Sequence, residues 1–283
     1  MKLSIIIPAY NEEANIADCL SSFVSQTRQP DELIIADDNS TDKTFLVAQE
    51  FSRKHTWIKA YRHKSESLHM PGSKIISNFY FGLSHSNGNY DLIGKFDADV
   101  LLPPDYFQEI VKNFQKHPDL GMCAGNVYVQ NKKSEWVHEK ISDKEHIRGP
   151  VKLYSAECFE KIGGLKASIG WDTVDELLAK YYNFRTLTIP GLKVKHLRPT
   201  GKSYNPEAKK LQGEALYKMR YGFKLAFLSA LKMSINYKDA EILQEYLAGY
   251  SKAKKEKQPF LVSEEEGRFI RNFRWKNIRK KLF

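Results

Sequence analysis

Apolar and polar residues fall in alternating blocks along the first two hundred positions. "LSIIIPAY" is a continuous apolar run of strand length. Behind it, in "NEEANIADCLSSFVSQ", Asn11 stands where a helix is capped and Glu12 and Glu13 fall in the first turn, while Ile16, Cys19, Leu20, Phe23 and Val24 recur at helical spacing. This predicts a strand followed by a helix. The unit repeats: "ELIIA" predicts a strand, "DDNSTD" a loop, and Thr41 to about Lys54 a helix with Phe45, Ala48 and Phe51 inward. "WIKAYR" predicts a third strand. In "PGSKIISNFYFGLSHSNGNY", Ile75, Ile76, Phe79 and Leu83 share a helical face that the Ser-Asn-Gly-Asn cluster ends, and the apolar strand of "DLIGKFDADVLLPPDY" follows.

Beyond the proline-opened helix "PPDYFQEIVKNFQKH" the pattern is mixed. "GMCAGNVYVQ" predicts a strand, "KISDKEHIRGP" a loop, "CFEKIGGLKASIGWDTVDELLAKYY" a turn leading into a helix, and "RTLTIPGLKVKHLRP" a pair of strands. From about Asn205 the period is mostly helical through "ALYKMRYGFKLAFLSALKMS" and "AEILQEYLAGY". Alternating strands and helices predict an α/β fold, a Rossmann-like and mainly parallel sheet covered on both faces. The expected division is an α/β part at 1–204 and a helical, basic extension at 205–283. Ligands of such sheets lie beyond the carboxyl ends of the strands, where Asp37, Asp38, Asp97 and Asp99 fall.

Residues i and i+2 of a strand point to the same face, so Asp97 and Asp99 would stand side by side and repel each other unless a positive group joins them. Magnesium and manganese take oxygen ligands, one or two carboxylates with substrate phosphates completing the shell, so a D-x-D pair suits a metal that carries a diphosphate. A solvated Asp-rich turn is the plainer reading.

With 42% hydrophobic residues in 283, the chain can bury a substantial core. Its net charge of +10 is uneven: residues 251–283 hold eleven Lys and Arg against four Glu, +7 of the total. Cys19, Cys123 and Cys158 are widely spaced and odd in number, which fits a reducing cytoplasm better than a disulfide framework. No apolar run approaches the ~20 residues of a membrane span, so a cytoplasmic chain, or one lying peripherally on the membrane's cytoplasmic face, is expected. The aromatic and basic segment Leu216–Met233 and the tail with Phe269, Phe273, Trp275 and Phe283 suit an anionic membrane surface, or else a helical cap with a solvated basic end. No nucleic-acid motif is present, and no nucleic-acid partner is expected.

"SIIIPAYNEE", "ELIIADDNSTD", "GKFDADVLLPPDYF", "IGGL", "WDTVDELLAKYYNF" and "KVKH", in this order, resemble the family-2 glycosyltransferases over residues 1 to about 200. The resemblance implies a GT-A fold, an inverting mechanism, a divalent metal (Mn2+ or Mg2+), a nucleotide-diphosphate sugar donor with uracil favoured, and a glycan or lipid-linked acceptor in polysaccharide assembly. It also implies roles. Pro8, Ala9, Tyr10 and Glu12 would hold base and ribose, although Glu12 also suits a helix dipole. Asp38 would accept a base N–H, Asp99 would bind the metal, Asp97 the ribose or a metal-bound water, and His196 the metal or phosphate. Lys74, just inside a helix start, stands where a cation can face the diphosphate or only solvent. The acceptor's base falls on Asp172, with Asp175 second and Glu176 beside them, where carboxylates also serve as helix caps. Trp171 replaces the family's usual glutamate and Asn183 its glycine, with Phe184 at the aromatic position.

Two other functions compete. A nucleotidyltransferase also sets carboxylates at sheet ends, but it calls for a glycine-rich basic loop after the first strand, which "PAYNEEAN" is not. A non-catalytic nucleotide- or membrane-binding module would tolerate loss of Asp97, Asp99 and Asp172 together.

Overall fold

A computed structural model describes residues 1–63, 72–139, 146–198 and 206–282. The chain opens with β1 (Leu3–Ala9), α1 (Ile16–Val24), β2 (Glu32–Asp37), α2 (Thr44–Lys54), β3 (Ile58–Arg62), α3 (Ser73–Ser84) and β4 (Leu92–Phe96). These follow the predicted alternation of strand and helix. Then come β5 (Val100–Leu101), α4 (Tyr106–Lys116), β6 (Leu120–Gln130), β7 (Trp136–His138), β8 (Val151–Ser155), α5 (Ala156–Lys161), α6 (Trp171–Tyr181) and β9 (Arg185–His196). Four helices complete the described residues: α7 (Pro206–Lys218), α8 (Phe223–Tyr237), α9 (Ala240–Lys255) and α10 (Glu264–Leu282).

Every residue of β1, β2 and β4 is buried, as continuous apolar runs covered on both faces require. The sheet order is β3-β2-β1-β4-β8-β6-β9-β5, with β7 on β6. Strands β1 to β4, β6 and β9 run one way, while β8, inserted between β4 and β6, is antiparallel to both. A mainly parallel sheet therefore puts the ends of β1, β2 and β4 on one rim.

Three features depart from the sequence pattern. Strand β8 lies at the centre of the sheet, yet its fully buried Lys152 breaks the apolar run that would reveal it. The segment expected as paired strands is a single strand, β9, whose register on β6 jumps from Gly125↔Ile189 to Asn126↔Lys193. Pro190 and Gly191 are absorbed in this bulge instead of turning a hairpin. The apolar helical segment after Ala215 is broken between α7 and α8, where Arg220 (φ 55°) and Gly222 (φ 74°) leave the helical region. The expected boundary at 204/205, most of the loop 140–150, and Phe283 lie outside the described residues.

Helices α7 and α9 cross at two glycines. A Cβ on Gly213 would meet the Tyr246 carbonyl, and one on Gly249 the Lys210 carbonyl. Both obstacles are backbone, so the helices must part to admit a methyl group. Gly249→Ala is expected to lose about 1–3 kcal/mol of stability, measured as a lower thermal midpoint with unchanged helical circular dichroism.

Candidate active site

The loop after β1 is built by hydrogen bonds to the loop after β2. Asp38 N–H donates to the Ala9 carbonyl (2.8 Å), Asn11 N–H to Ser40 Oγ (2.9 Å) and Glu12 N–H to Thr44 Oγ1 (2.7 Å). Asn11 reaches this shape through a positive φ of 52°. Pro8 and Ala9 stay within the sheet, whereas Tyr10 projects from the rim at 47% exposure. The two neighbouring aspartates then separate by role. Asp37 is sealed in, its Oδ2 accepting from Ser40 N–H (3.1 Å) and Arg62 Nε (3.2 Å) while its Oδ1, like that of Asp38, has no hydrogen-bond partner among the described residues. Asp38 takes Lys74 Nζ on Oδ2 at 3.0 Å, while its buried Oδ1 has no hydrogen-bond partner among the described residues. Lys74 also lies 4.8 Å from the Tyr10 ring centroid, which places it at the Asp38 end of the rim.

At the end of β4 the two carboxylates have the cation that their repulsion demands. Lys95, fully buried, pairs with Asp97 and donates to the Gly149 carbonyl at 3.3 Å. The short pairing of β5 with β9 sets Val100 opposite His196, and Leu197 N–H donates to the Asp99 carbonyl at 2.9 Å. His196 Nε2 thereby comes 3.2 Å from Asp99 Oδ1. Burial works against a charged His196, yet the adjoining Asp99 outweighs it and holds the imidazole's pKa above its ordinary value. Arg198 spans the mouth, with Nε 3.2 Å from Asp99 Oδ2 and its other end on Glu12.

One ligand atom each from Asp97, Asp99 and His196 lies within 4.8 Å of the others. Buried His196 Nδ1 has no partner among the described residues. Two carboxylates and an imidazole form an oxygen-rich set that fits a hard divalent cation.

A second cluster forms at the start of α6, which Gly170 enters with a φ of 74°. His146 is held between two carboxylates of this helix, Nδ1 2.6 Å from Glu176 Oε2 and Nε2 at ion-pair distance, 3.6 Å, from Asp172 Oδ2. Burial opposes ionisation of both acids. The His146 imidazole outweighs it, with the Lys152 charge for Asp172 and the Lys180 charge for Glu176, leaving Asp172 well below the usual carboxylate range and Glu176 at about 2. The same carboxylates raise His146 against its burial. Asp175 is different: it is fully buried, bound by Lys152 Nζ at 2.7 and 2.9 Å and by the Tyr154 hydroxyl. Its pKa is raised, because burial outweighs the lysine.

Trp171, in place of the expected glutamate, lies with its ring centroid 5.1 Å from Lys95 Nζ and 5.4 Å from Lys152 Nζ. It joins the two clusters. Phe184 sits below α6 and fills the space that a side chain at Gly121 would need. Sequence reasoning missed Lys95, His146, Lys152 and Arg198. Only Arg198 carried a hint, as a cation two places after the strand-ending histidine.

A family model described as "Glycosyl transferase family 2" matches residues 4–167, and the chain belongs to that family. Over 207 residues it is 27% identical to the dolichol-phosphate mannosyltransferase of Pyrococcus furiosus, which covers 67% of this chain and 56% of that protein. Over 136 residues it is 29% identical to the poly-beta-1,6-N-acetyl-D-glucosamine synthase of Staphylococcus epidermidis, covering 47% of this chain and 30% of the synthase. The chain thus spans between about a third and just over half of these relatives. The S. aureus TarS fragment 1-349 in complex with UDP-GlcNAc superposes with a TM-score of 0.58 at 17% identity, over 88% of this chain and 72% of that one. The mannosyltransferase PcManGT of Pyrobaculum calidifontis, solved with GDP-Man and Mn2+, gives a TM-score of 0.56 at 17% identity over 100% of this chain and 81% of that one. The architecture is accordingly the GT-A type.

Two outcomes test the electrostatics. Lys152→Met is expected to cost about 3–5 kcal/mol in urea unfolding, since it strands the Asp175 charge, and adding Asp175→Leu should recover much of the loss. His146 has a raised folded-state pKa, so its stabilising effect is full below its ordinary pKa near 6.5 and fades as pH rises through the folded value. His146→Gln should therefore lose more stability at pH 5.5 than at pH 9. Glu176, depressed to about 2, stabilises above its ordinary value and loses that effect only as pH falls toward 2.

Proposed function

We propose that this chain is an inverting glycosyltransferase that moves a sugar from a nucleotide-diphosphate donor to a hydroxyl of a glycan or lipid-linked acceptor. The observation that carries this reading is the placement of three separate stations on one side of a GT-A sheet. The loops after β1 and β2 offer a nucleoside site, Asp97, Asp99 and His196 a diphosphate-metal site, and the start of α6 an ionised carboxylate.

In this reading Tyr10 gives the base an aromatic face, and the unpartnered Asp38 Oδ1 accepts its ring N–H. That suits the imide N–H of uracil, and UDP is the favoured carrier; a guanine N1–H would suit the same oxygen. Glu12 and Asp97 face the ribose. Lys74 must yield part of its hold on Asp38 when a base binds. Asp97, Asp99 and His196 would hold a magnesium or manganese ion, which supplies positive charge where the diphosphate leaves.

The acceptor oxygen attacks the anomeric carbon as the bond from that carbon to the diphosphate oxygen breaks, and the acceptor's proton passes to a carboxylate. We assign this base to Asp172, which is partly accessible, with a side chain 26% exposed. Asp175 has no free surface, and its oxygens are taken by Lys152 and Tyr154. Inversion needs only this one displacement, and no covalent intermediate. Polysaccharide assembly is the favoured setting, supported by the likeness to a relative named as a polysaccharide synthase.

The deciding experiment is thermal unfolding with manganese and UDP-, GDP-, TDP- and CMP-linked sugars. A donor at a hundred times its Kd should stabilise by ~2.7 kcal/mol, a shift of several degrees. One donor should give a metal-dependent shift that Asp99→Ala abolishes; no shift with any donor would turn the reading toward a binding module. With that donor, Asp172→Asn should lower kcat by about 10²–10⁴-fold while leaving the donor shift in place. Asp175→Asn should act chiefly on stability.

A further inference from the structure

Helix α8 is apolar on two opposite sides. At about 100° per residue, Leu225, Ala226 and Ala230 occupy one arc and are buried against the other helices. Phe227, Leu228 and Ile235 occupy the other half of the helix and are exposed, with Phe223 at the edge between the two arcs; Phe223 is 56% and Ile235 65% exposed. A solvated helix normally shows polar residues on its outer side. Here Phe227, Leu228 and Ile235 are left exposed, and Phe223 meets the Tyr250 ring at the edge of the ridge.

The charge around this ridge is basic. Lys224 rises from within this ridge and Lys232 borders it, both exposed. Helices α8 and α9 form a hairpin, so the end of α9 returns beside the start of α8, where Phe223 packs 6.1 Å from the Tyr250 ring. Phe223, Tyr250, Ser251, Lys254 and Lys255 line a shallow depression of about 440 Å³ there. Beyond the single acid Glu256, Lys257 is also exposed. By contrast, the tail aromatics expected to face a membrane are turned inward: Phe269, Phe273 and Trp275 pack on the core, with Phe269 5.5 Å from Tyr181. Among the described residues no helix is long and apolar enough to cross a membrane.

We propose that the outer side of α8, with the lysines at the end of α9, is a docking surface for an anionic lipid bilayer. The ridge enters the headgroup region while Lys224, Lys232, Lys254 and Lys255 meet lipid charge, the pairing of apolar face and basic border that interfacial helices use. The depression between Phe223 and the two α9 lysines fits one anionic headgroup. This surface is separate from the transfer site, and the inference stands whether or not the proposed chemistry does.

The test is flotation of the full chain with vesicles of phosphatidylcholine alone or with added phosphatidylglycerol, at low and high salt. Binding is expected only with the anionic lipid, weakened by salt. Phe227→Ser/Ile235→Ser and Lys254→Glu/Lys255→Glu should each lower the apparent affinity about tenfold or more, with the thermal midpoint and any donor-induced shift kept. A folded parent chain that does not float with anionic vesicles at low salt overturns the proposal, as does flotation unchanged in both variants. A dimer that Phe227→Ser/Ile235→Ser makes monomeric, with no vesicle binding by the parent, would assign the ridge to a second copy.

Discussion

Two lysines meet side by side in the middle of the sheet. Lys95 on β4 and Lys152 on β8 are register partners, both fully buried and both against Trp171. Like charges directly opposite in a sheet repel, and an uncompensated ammonium in such a place is untenable. Each is therefore committed to a carboxylate: Lys95 to Asp97, Lys152 to Asp175. Spare donors go to the carbonyls of Gly149 and Asp172. The indole covers both, an apolar plane whose π-face tolerates two cations. In this way the sheet's centre fixes the Asp97 end of the Asp97–Asp99–His196 group and the first turn of α6 through a single buried arrangement.

The stations at the rim depend on that arrangement in different ways. Asp97 and Asp99 can stand close together because Lys95 lies beneath one and Arg198 beside the other. Arg198 also ties Asp99 to Glu12, so the first loop and the Asp97–Asp99–His196 group are linked. A divalent ion at these carboxylates would take over charge now supplied by these cations, and a guanidinium 57% exposed can move aside at small cost. On the other side of Trp171, Lys152 pins Asp175 and the Asp172 carbonyl. That leaves the Asp172 carboxylate as the member of the α6 group turned toward His146 and open to solvent.

Much of this was legible from residue patterns. The parallel half of the sheet follows from unbroken apolar runs, and the acidic groups at its rim follow from their position at the ends of those runs. Strand β8 was not legible, because a fully buried lysine at its second position reads as surface. Nor was the single strand β9: a Pro-Gly pair announces a turn, and only the neighbouring strand, with Gly125 leaving room for Leu192, shows that it is a bulge. His146 lies in a polar loop with no periodicity, and nothing short of tertiary packing brings it to α6. The inward Phe269, Phe273 and Trp275 teach a related lesson. Aromatic residues in a basic tail are compatible with a membrane or with a core, and only the location of α6 and its neighbours decides.

The departure at Trp171 is intelligible in the same terms. A glutamate there would add a fourth acid to the start of a helix that already holds Asp172, Asp175 and Glu176. In this chain the cations that such a glutamate might balance are already paired, and the indole covers them without adding charge. The negative charge of the α6 turn is instead countered from outside by His146, which holds Asp172 and Glu176 below the usual carboxylate range while they raise its own pKa. In the proposed transfer this has a kinetic meaning. A carboxylate held well below its usual range is fully available to receive a proton at any neutral pH, but its driving force for taking one is small. Charge stabilisation at the diphosphate end, rather than the strength of the base, would carry most of the barrier reduction.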